Sequence, residues 1–244
     1  MATRTCLLTV SLTLLAFPAL AGEGFEMDVI KTSEGDLEIA FIGHGTLMFS
    51  FDGKVIHIDP WTKLADYTTM PKADLILITH EHRDHFDNEA IKILHKESTV
   101  VVANRTVGEL LPSSLVMKNG DEQTVQGIKI EAVPAYNVVH KRDSGEPFHP
   151  KGVGNGYVLT FGDKRVYVAG DTENIPEMKE LRDIYCAFLP MNLPYTMAPE
   201  MAADAAKTIQ PKILYPYHFG ETDTSALVEL LEGTEIDVRI RKMQ

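Results

Sequence analysis

Apolar residues in the first half of the chain fall into short runs separated by turn residues. Residues 37–42, 47–51 and 55–58 are such runs, divided by Gly43-His44-Gly45 and by Asp52-Gly53. Short runs joined by glycine-containing turns predict antiparallel strands. Residues 75–78 read as a buried strand, and residues 86–96 place Phe86, Ala90, Ile91, Ile93 and Leu94 at helical spacing. Strand character resumes at 100–103 and again at 115–117. Beyond the Asn119-Gly120 turn, one hairpin is predicted from 124–126 and 128–133, and a second from 157–161 and 165–169.

Further on, helices predicted at 176–182, 199–209 and 224–231 alternate with strands at 187–189, 213–215 and 236–240. Strand-rich halves, each followed by helices, predict an α/β protein with two sheets packed together and helices outside. The segment 135–156 is long, polar and rich in Gly and Pro. A stretch of that length without regular structure in a compact domain is often a functional loop. Residues 25–244 contain no linker, low-complexity tract or internal repeat, which predicts one domain.

The N-terminus departs from this pattern. A single basic residue, Arg4, precedes the apolar stretch 6–17, and Pro18-Ala-Leu-Ala21 ends in an Ala-x-Ala pattern. These are the parts of a secretory signal peptide, with cleavage expected after Ala21. Residues 1–21 are therefore read as a signal peptide and 22–244 as the domain, exported to the periplasm or secreted. The apolar stretch is too short to span a bilayer comfortably, so no stable membrane span is expected after cleavage. Loss of Cys6 would leave Cys186 alone, excluding an intramolecular disulfide. The formal net charge of −12 and the lack of basic runs argue against a nucleic-acid partner and leave a small molecule as the expected substrate.

Candidate chemistry concentrates in Thr79-His80-Glu81-His82-Arg83-Asp84-His85, where four potential metal ligands follow a buried strand. Imidazole and carboxylate suit zinc and related divalent ions. Two later strands also end in a ligand type: residues 166–170 lead into Asp171, and residues 213–217 lead into His218. A carboxylate at a buried strand end is costly unless it is paired or bound to a metal. Alone, Asp171 reads equally as a turn residue and His218 as a loop residue; with the first cluster they offer one convergent site. His57 and His95 are spaced with apolar residues and read as structural.

His80-x-His82-x-Asp84-His85, followed by Gly170-Asp171-Thr172 and His218, resembles the metallo-β-lactamase superfamily over essentially the whole mature chain. Gly43-His44-Gly45, Ile58-Asp59-Pro60, Phe148-His-Pro-Lys-Gly152, Pro176-Glu-Met178 and Tyr195-Thr-Met197 are similar to its ascorbate-phosphate lactonase-like branch. The resemblance implies an αββα sandwich with metals in a cleft at one edge. It assigns His80 and His82 to a first metal site, and Asp84, His85 and His218 to a second, with Asp171 bridging or completing it. Two zinc ions, with manganese or iron as alternatives, would hold a hydroxide that attacks an ester, lactone or phosphodiester. Asp84 would orient that nucleophile or accept its proton.

One position departs from the superfamily pattern. A third first-site histidine is expected near the end of Val133-Pro-Ala-Tyr-Asn137, where this chain has Asn137. His149, flanked by Pro150 and Gly152, is the preferred replacement from the long loop, ahead of His140. His44 reads as a pocket or supporting residue, Asp59 as a partner for the second ring nitrogen of a ligand histidine, and Tyr195 as a substrate contact. Lys151 is a further candidate for an anionic substrate. The competing readings are a non-hydrolytic iron redox member of the same fold and a binding module without turnover.

Overall fold

In the computed structural model, residues 24–243 are described; the expected signal peptide at 1–21 and its Cys6 lie outside them. Two seven-stranded sheets form, the first in the order β1-β2-β3-β4-β5-β6-β7 and the second β14-β13-β12-β11-β10-β9-β8. The first sheet comprises β1 (Glu26–Thr32), β2 (Gly35–Gly43), β3 (Thr46–Phe51), β4 (Lys54–Ile58), β5 (Leu75–Ile78), β6 (Val100–Ala103) and β7 (Leu115–Val116). The second comprises β8 (Glu122–Val125), β9 (Ile128–Ala135), β10 (Gly154–Phe161), β11 (Lys164–Val168), β12 (Ile184–Pro190), β13 (Ile213–Tyr217) and β14 (Asp237–Val238). Each sheet begins as an antiparallel meander and continues with parallel strands from β4 or β11. Parallel pairs need a crossover, and helices α1 (Asn88–Leu94), α2 (Arg105–Leu110), α3 (Pro199–Ile209) and α4 (Ser225–Leu230) lie in four of them.

The two-residue period of strands sorts the side chains. Leu37, Ile39 and Phe41 of β2, with Leu75 and Leu77 of β5, join a core cluster that reaches into the second sheet through Tyr157, Leu159, Phe188 and Tyr215. Their neighbours Ala40, Ile42, Ile76 and Ile78 enter a separate cluster with Ile91 and Leu94 of α1 and Val107 of α2. Aromatic rings fill the inter-sheet space: Phe188 lies 5.0 Å from Tyr215 and 5.9 Å from Phe49 between ring centroids. Among the described residues, no helix is long and apolar enough to cross a membrane.

Several expectations shift. Strand β1 carried no apolar signal because it is an edge strand with only Ile30 buried. The helix expected from residue 86 starts at Asn88, because the Asp87 carboxylate accepts the Glu89 and Ala90 N–H groups and caps it there. The helix expected at 176–182 is a 3-10 turn over Pro176–Glu180, and the strand expected at 236–240 pairs only at Asp237–Val238. Cys186 is buried in β12, where burial pushes its thiol well above the ordinary value.

Strands β2, β4 and β5 run one way in the first sheet, and β9, β11 and β13 run one way in the second. Their C-terminal ends release His44, Asp59, Thr79-His80, Tyr136-Asn137, Asp171 and His218. Hydrogen bonds across this edge, Asn155 N–H to Thr79 O and His218 N–H to His44 O at 2.9 Å each, bring the two sets together.

Candidate metal centre

Ligand-type atoms of His80, His82 and His149 converge in one group, those of His44, Asp84, His85 and His218 in another, and those of His80, His85 and Asp171 in a third, all within 4.8 Å inside each group. Asp171 faces both sides. Its Oδ2 lies 3.3 Å from His149 Nε2 and 3.5 Å from His218 Nε2, while its Oδ1 lies 3.5 Å from His85 Nε2. Asp84 Oδ2 is 2.9 Å from His44 Nε2 and 3.7 Å from both His85 Nε2 and His218 Nε2.

Left-handed backbone places part of this site. His44, Asp59 and His218 have φ of 50°, 45° and 48°, a region that non-glycine residues rarely occupy. Each sits directly after a strand, so the sharp turn aims the side chain back over the strand ends. Such strain persists only where surrounding structure enforces it. Here the backbone bonds His44 N–H to Met243 O and His218 N–H to His44 O do so.

Hydrogen bonding fixes the ring tautomers. Asp59 accepts from Thr79 N–H at 2.8 Å and from the Thr79 hydroxyl at 2.6 Å, and lies 2.8 Å from His85 Nδ1. The ionised carboxylate only accepts, so His85 carries a proton on Nδ1 and turns Nε2 into the site. The Thr79 hydroxyl has spent its proton on Asp59, so at 3.0 Å it accepts from His80 Nδ1, which leaves His80 Nε2 bare. One buried carboxylate thus sets two histidines.

The consequence is an unsatisfied cluster. Among the described residues, buried His80 Nε2, His85 Nε2, His149 Nε2, His218 Nε2 and Asp171 Oδ1 find no protein hydrogen-bond partner. Buried polar atoms are normally paired, so five unpartnered ligand-type atoms gathered around one space fit a bound cation. The protein charges point the same way. Burial opposes protonation of His85, yet Asp171 and then Asp59 override it and push the group up to about 9, so the surroundings favour positive charge at Nε2, a proton or a cation in its place. Burial would raise Asp171, but His218 and His85 hold it well below the usual carboxylate range.

Asn137, which stands where the third first-site histidine was expected, turns its side chain to other partners. Its carboxamide is committed: Oδ1 accepts from His149 N–H at 2.9 Å and lies 2.7 Å from His149 Nδ1, while Nδ2 donates to Glu173 Oε1 and to Tyr195 O. His140 Nδ1 is 2.7 Å from Glu173 Oε1 and is not among the converging ligand groups. Tyr195 is half-exposed, stacked edge-on against Phe148 at 5.1 Å, and reaches the site only through its carbonyl. Lys151 is paired within the protein, bonding Glu177 Oε1 at 2.7 Å and the Tyr136 hydroxyl at 3.2 Å. Buried His57, 3.3 Å from Pro71 O, and His95, at the end of α1, lie outside the site.

Sequence reasoning missed Thr79 and Glu173. Glu173 is fully buried and accepts from Val138, Val139 and His140 N–H at 2.7, 2.6 and 2.7 Å, besides Asn137. Its only sequence signal was a second acidic residue two positions after Asp171.

A profile of the beta-lactamase superfamily domain matches residues 38–218. A Koribacter versatilis protein named a UPF0173 metal-dependent hydrolase is 35% identical over 75% of this chain and 84% of its own length. A crystal structure from Parabacteroides distasonis, ascribed to a metal-dependent hydrolase, is 52% identical, with a TM-score of 0.87 over 91% of this chain and all (100%) of that one. A metallo hydrolase from the archaeon Ignicoccus hospitalis is 26% identical, with a TM-score of 0.71 over 85% of this chain and 95% of its own. The chain belongs to the metallo-β-lactamase superfamily and, within it, to the metal-dependent hydrolases.

Proposed function

We propose that this hydrolase works with two divalent ions, zinc foremost, on a small ester, lactone or phosphodiester. The observation that carries the reading is the set of buried, unpartnered Nε2 atoms on His80, His85, His149 and His218 around Asp171. His80, His82 and His149 would hold one ion and Asp84, His85 and His218 the other, with Asp171 between them. Bound there, the ions supply Lewis acidity toward a water that must lose its proton and toward the substrate oxygen that gains charge.

The protein's own groups then divide the remaining work. Asp84 Oδ2 accepts a hydrogen bond from His44 Nε2–H at 2.9 Å, so the partly exposed His44 orients the carboxylate toward the water that must lose its proton. Burial lowers His44 below the ordinary imidazole value, which keeps it a neutral donor to Asp84 near neutral pH. The space over His80, His82, His149 and Asp171 is only about 10 Å³, room for an atom-sized guest rather than a substrate. A groove of about 540 Å³ lined by Trp61, Lys63, Arg83 and Phe86 offers the larger volume. It lies beside the cluster, because the Trp61 ring is 5.6 Å from His44.

Action on a substrate outside the cytoplasm follows from the N-terminal pattern, and cell fractionation checks it. The decisive experiment combines metal analysis of purified protein with an assay panel of a lactone, an aryl phosphodiester and an aryl carboxylic ester. Hydrolysis lost in both His82→Ala and Asp84→Ala is expected. Hydrolysis that survives both substitutions overturns the site. A coloured, redox-active iron centre without hydrolysis would favour the non-hydrolytic reading.

A further inference from the structure

Position 137 holds Asn where the superfamily pattern leads one to expect a metal-binding His. Four contacts define which end of its carboxamide is which. His149 N–H, which can only donate, points at one end at 2.9 Å, so that end is oxygen. The other end faces Glu173 Oε1 at 3.1 Å and Tyr195 O at 2.9 Å, two acceptors, so it is the NH2 group. His149 Nδ1 then lies 2.7 Å from an oxygen that cannot donate, and it must carry the ring proton. Its Nε2 is left bare, buried and 3.3 Å from Asp171 Oδ2.

Glu173 secures this arrangement. The carboxylate is fully buried and takes N–H groups from Val138, Val139 and His140, so it is fixed by the same loop segment whose amide it orients. Asn137 N–H also donates to His149 O at 2.9 Å, clamping the two residues at backbone and side chain alike. Reversing the amide would set its NH2 against two His149 donors and its oxygen against two acceptors. Buried donors would then face donors and buried acceptors face acceptors, so one orientation dominates.

We propose that Glu173 and Asn137 are positioning residues that act in series: Glu173 orients the Asn137 carboxamide, and the carboxamide fixes His149 as the Nδ1-protonated imidazole with Nε2 ready to bind a cation. Position 137 has therefore exchanged a ligand for the group that aims one. The proposal deepens the metal-centre reading and rests on it only where His149 is called a ligand; the tautomer follows from the hydrogen bonds alone.

Two readouts separate the parts. In the chelator-treated full-length protein, ¹⁵N shifts of His149 are expected to report a protonated Nδ1 and a bare Nε2. A protonated Nε2 overturns the proposal whatever the variants do. Zinc affinity, measured by competition with a coloured chelator, is then compared across variants that keep the wild-type circular dichroism spectrum. Asn137→Leu is expected to bind zinc about 10–100-fold more weakly and to lose the single tautomer. Asn137→His is expected to weaken binding too, since the added imidazole cannot orient His149. Zinc binding by Asn137→His equal to or tighter than wild type overturns the proposal. If His149→Ala leaves zinc affinity unchanged, the ligand reading falls, while the ¹⁵N result still decides the tautomer.

Discussion

Asp59 Oδ2 lies 2.8 Å from His85 Nδ1, with both side chains buried to within 1% of full enclosure. Because Asp59 also holds Thr79 N–H and hydroxyl, and Thr79 in turn holds His80, this carboxylate governs ligand atoms in both halves of the site. Asp59→Asn keeps the volume but replaces one accepting oxygen with a donor, against His85 Nδ1–H or against the Thr79 groups. Metal affinity is expected to fall about 10–100-fold while the fold persists, checked by chelator competition alongside circular dichroism.

Metal removal should cost stability without unfolding the chain. The inter-sheet cluster around Phe188 and Tyr215 contains no site residue, so the sheets keep their core. An ion present at about 100 times its Kd stabilises the native state by about 2.7 kcal/mol. Thermal unfolding with and without chelator should show a lower Tm in the stripped protein, with unchanged far-ultraviolet dichroism and recovery on adding zinc. Equal Tm values would mean that the unpartnered Nε2 atoms gain nothing from the cation.

Gly45 is expected to matter through space rather than through backbone freedom. A Cβ at this position would lie 2.9 Å from His85 Cε1, and that ring is pinned from behind by Asp59. Gly45→Ala must therefore displace His85 or the turn that carries His44. Loss of hydrolysis and weaker metal binding, with a smaller change in Tm than Phe188→Ala, is the expected pattern. The large aromatic truncation should cost about 3–5 kcal/mol.

Away from the site, Asp28 ties β1 to the C-terminal segment through Arg241 at 2.8 Å and Arg239 at 3.2 Å. Burial raises its carboxyl, but the Tyr215 hydroxyl and Arg241 together bring it below the ordinary value of 3.8. The unfolded chain therefore takes up this proton at higher pH than the folded one. The contribution is present above about pH 4 and fades as pH falls through the folded value. Denaturant unfolding should show wild type more stable than Asp28→Asn at about pH 7, with the gap shrinking toward about pH 3. Acid release of metal affects both proteins alike and cancels in the difference.

Much of the site could be read along the chain because its ligands are local in sequence or follow a recognisable strand. The spacing His80-x-His82-x-Asp84-His85 needs only a strand end and a turn, and Asp171 and His218 each follow a run of apolar residues. The hairpins and α3 were legible for the same reason: two-residue alternation and helical spacing are properties of contiguous residues. Strand β1 was not, since an edge strand with one buried residue leaves no alternation to see.

The roles of Asn137 and Glu173, and which histidine Asp59 serves, were decided only by tertiary structure. An amide or carboxylate has no role of its own; its role is set by what lies within hydrogen-bond reach. Those partners stand 12, 26, 36 and 58 positions away in the chain. The sequence determined which ligand types exist and that they sit at strand ends. Folding decided which of them meet, because two sheets must pack before the ends of β4, β5, β9, β11 and β13 share one edge. Only there does a buried acceptor choose the ring nitrogen that stays bare.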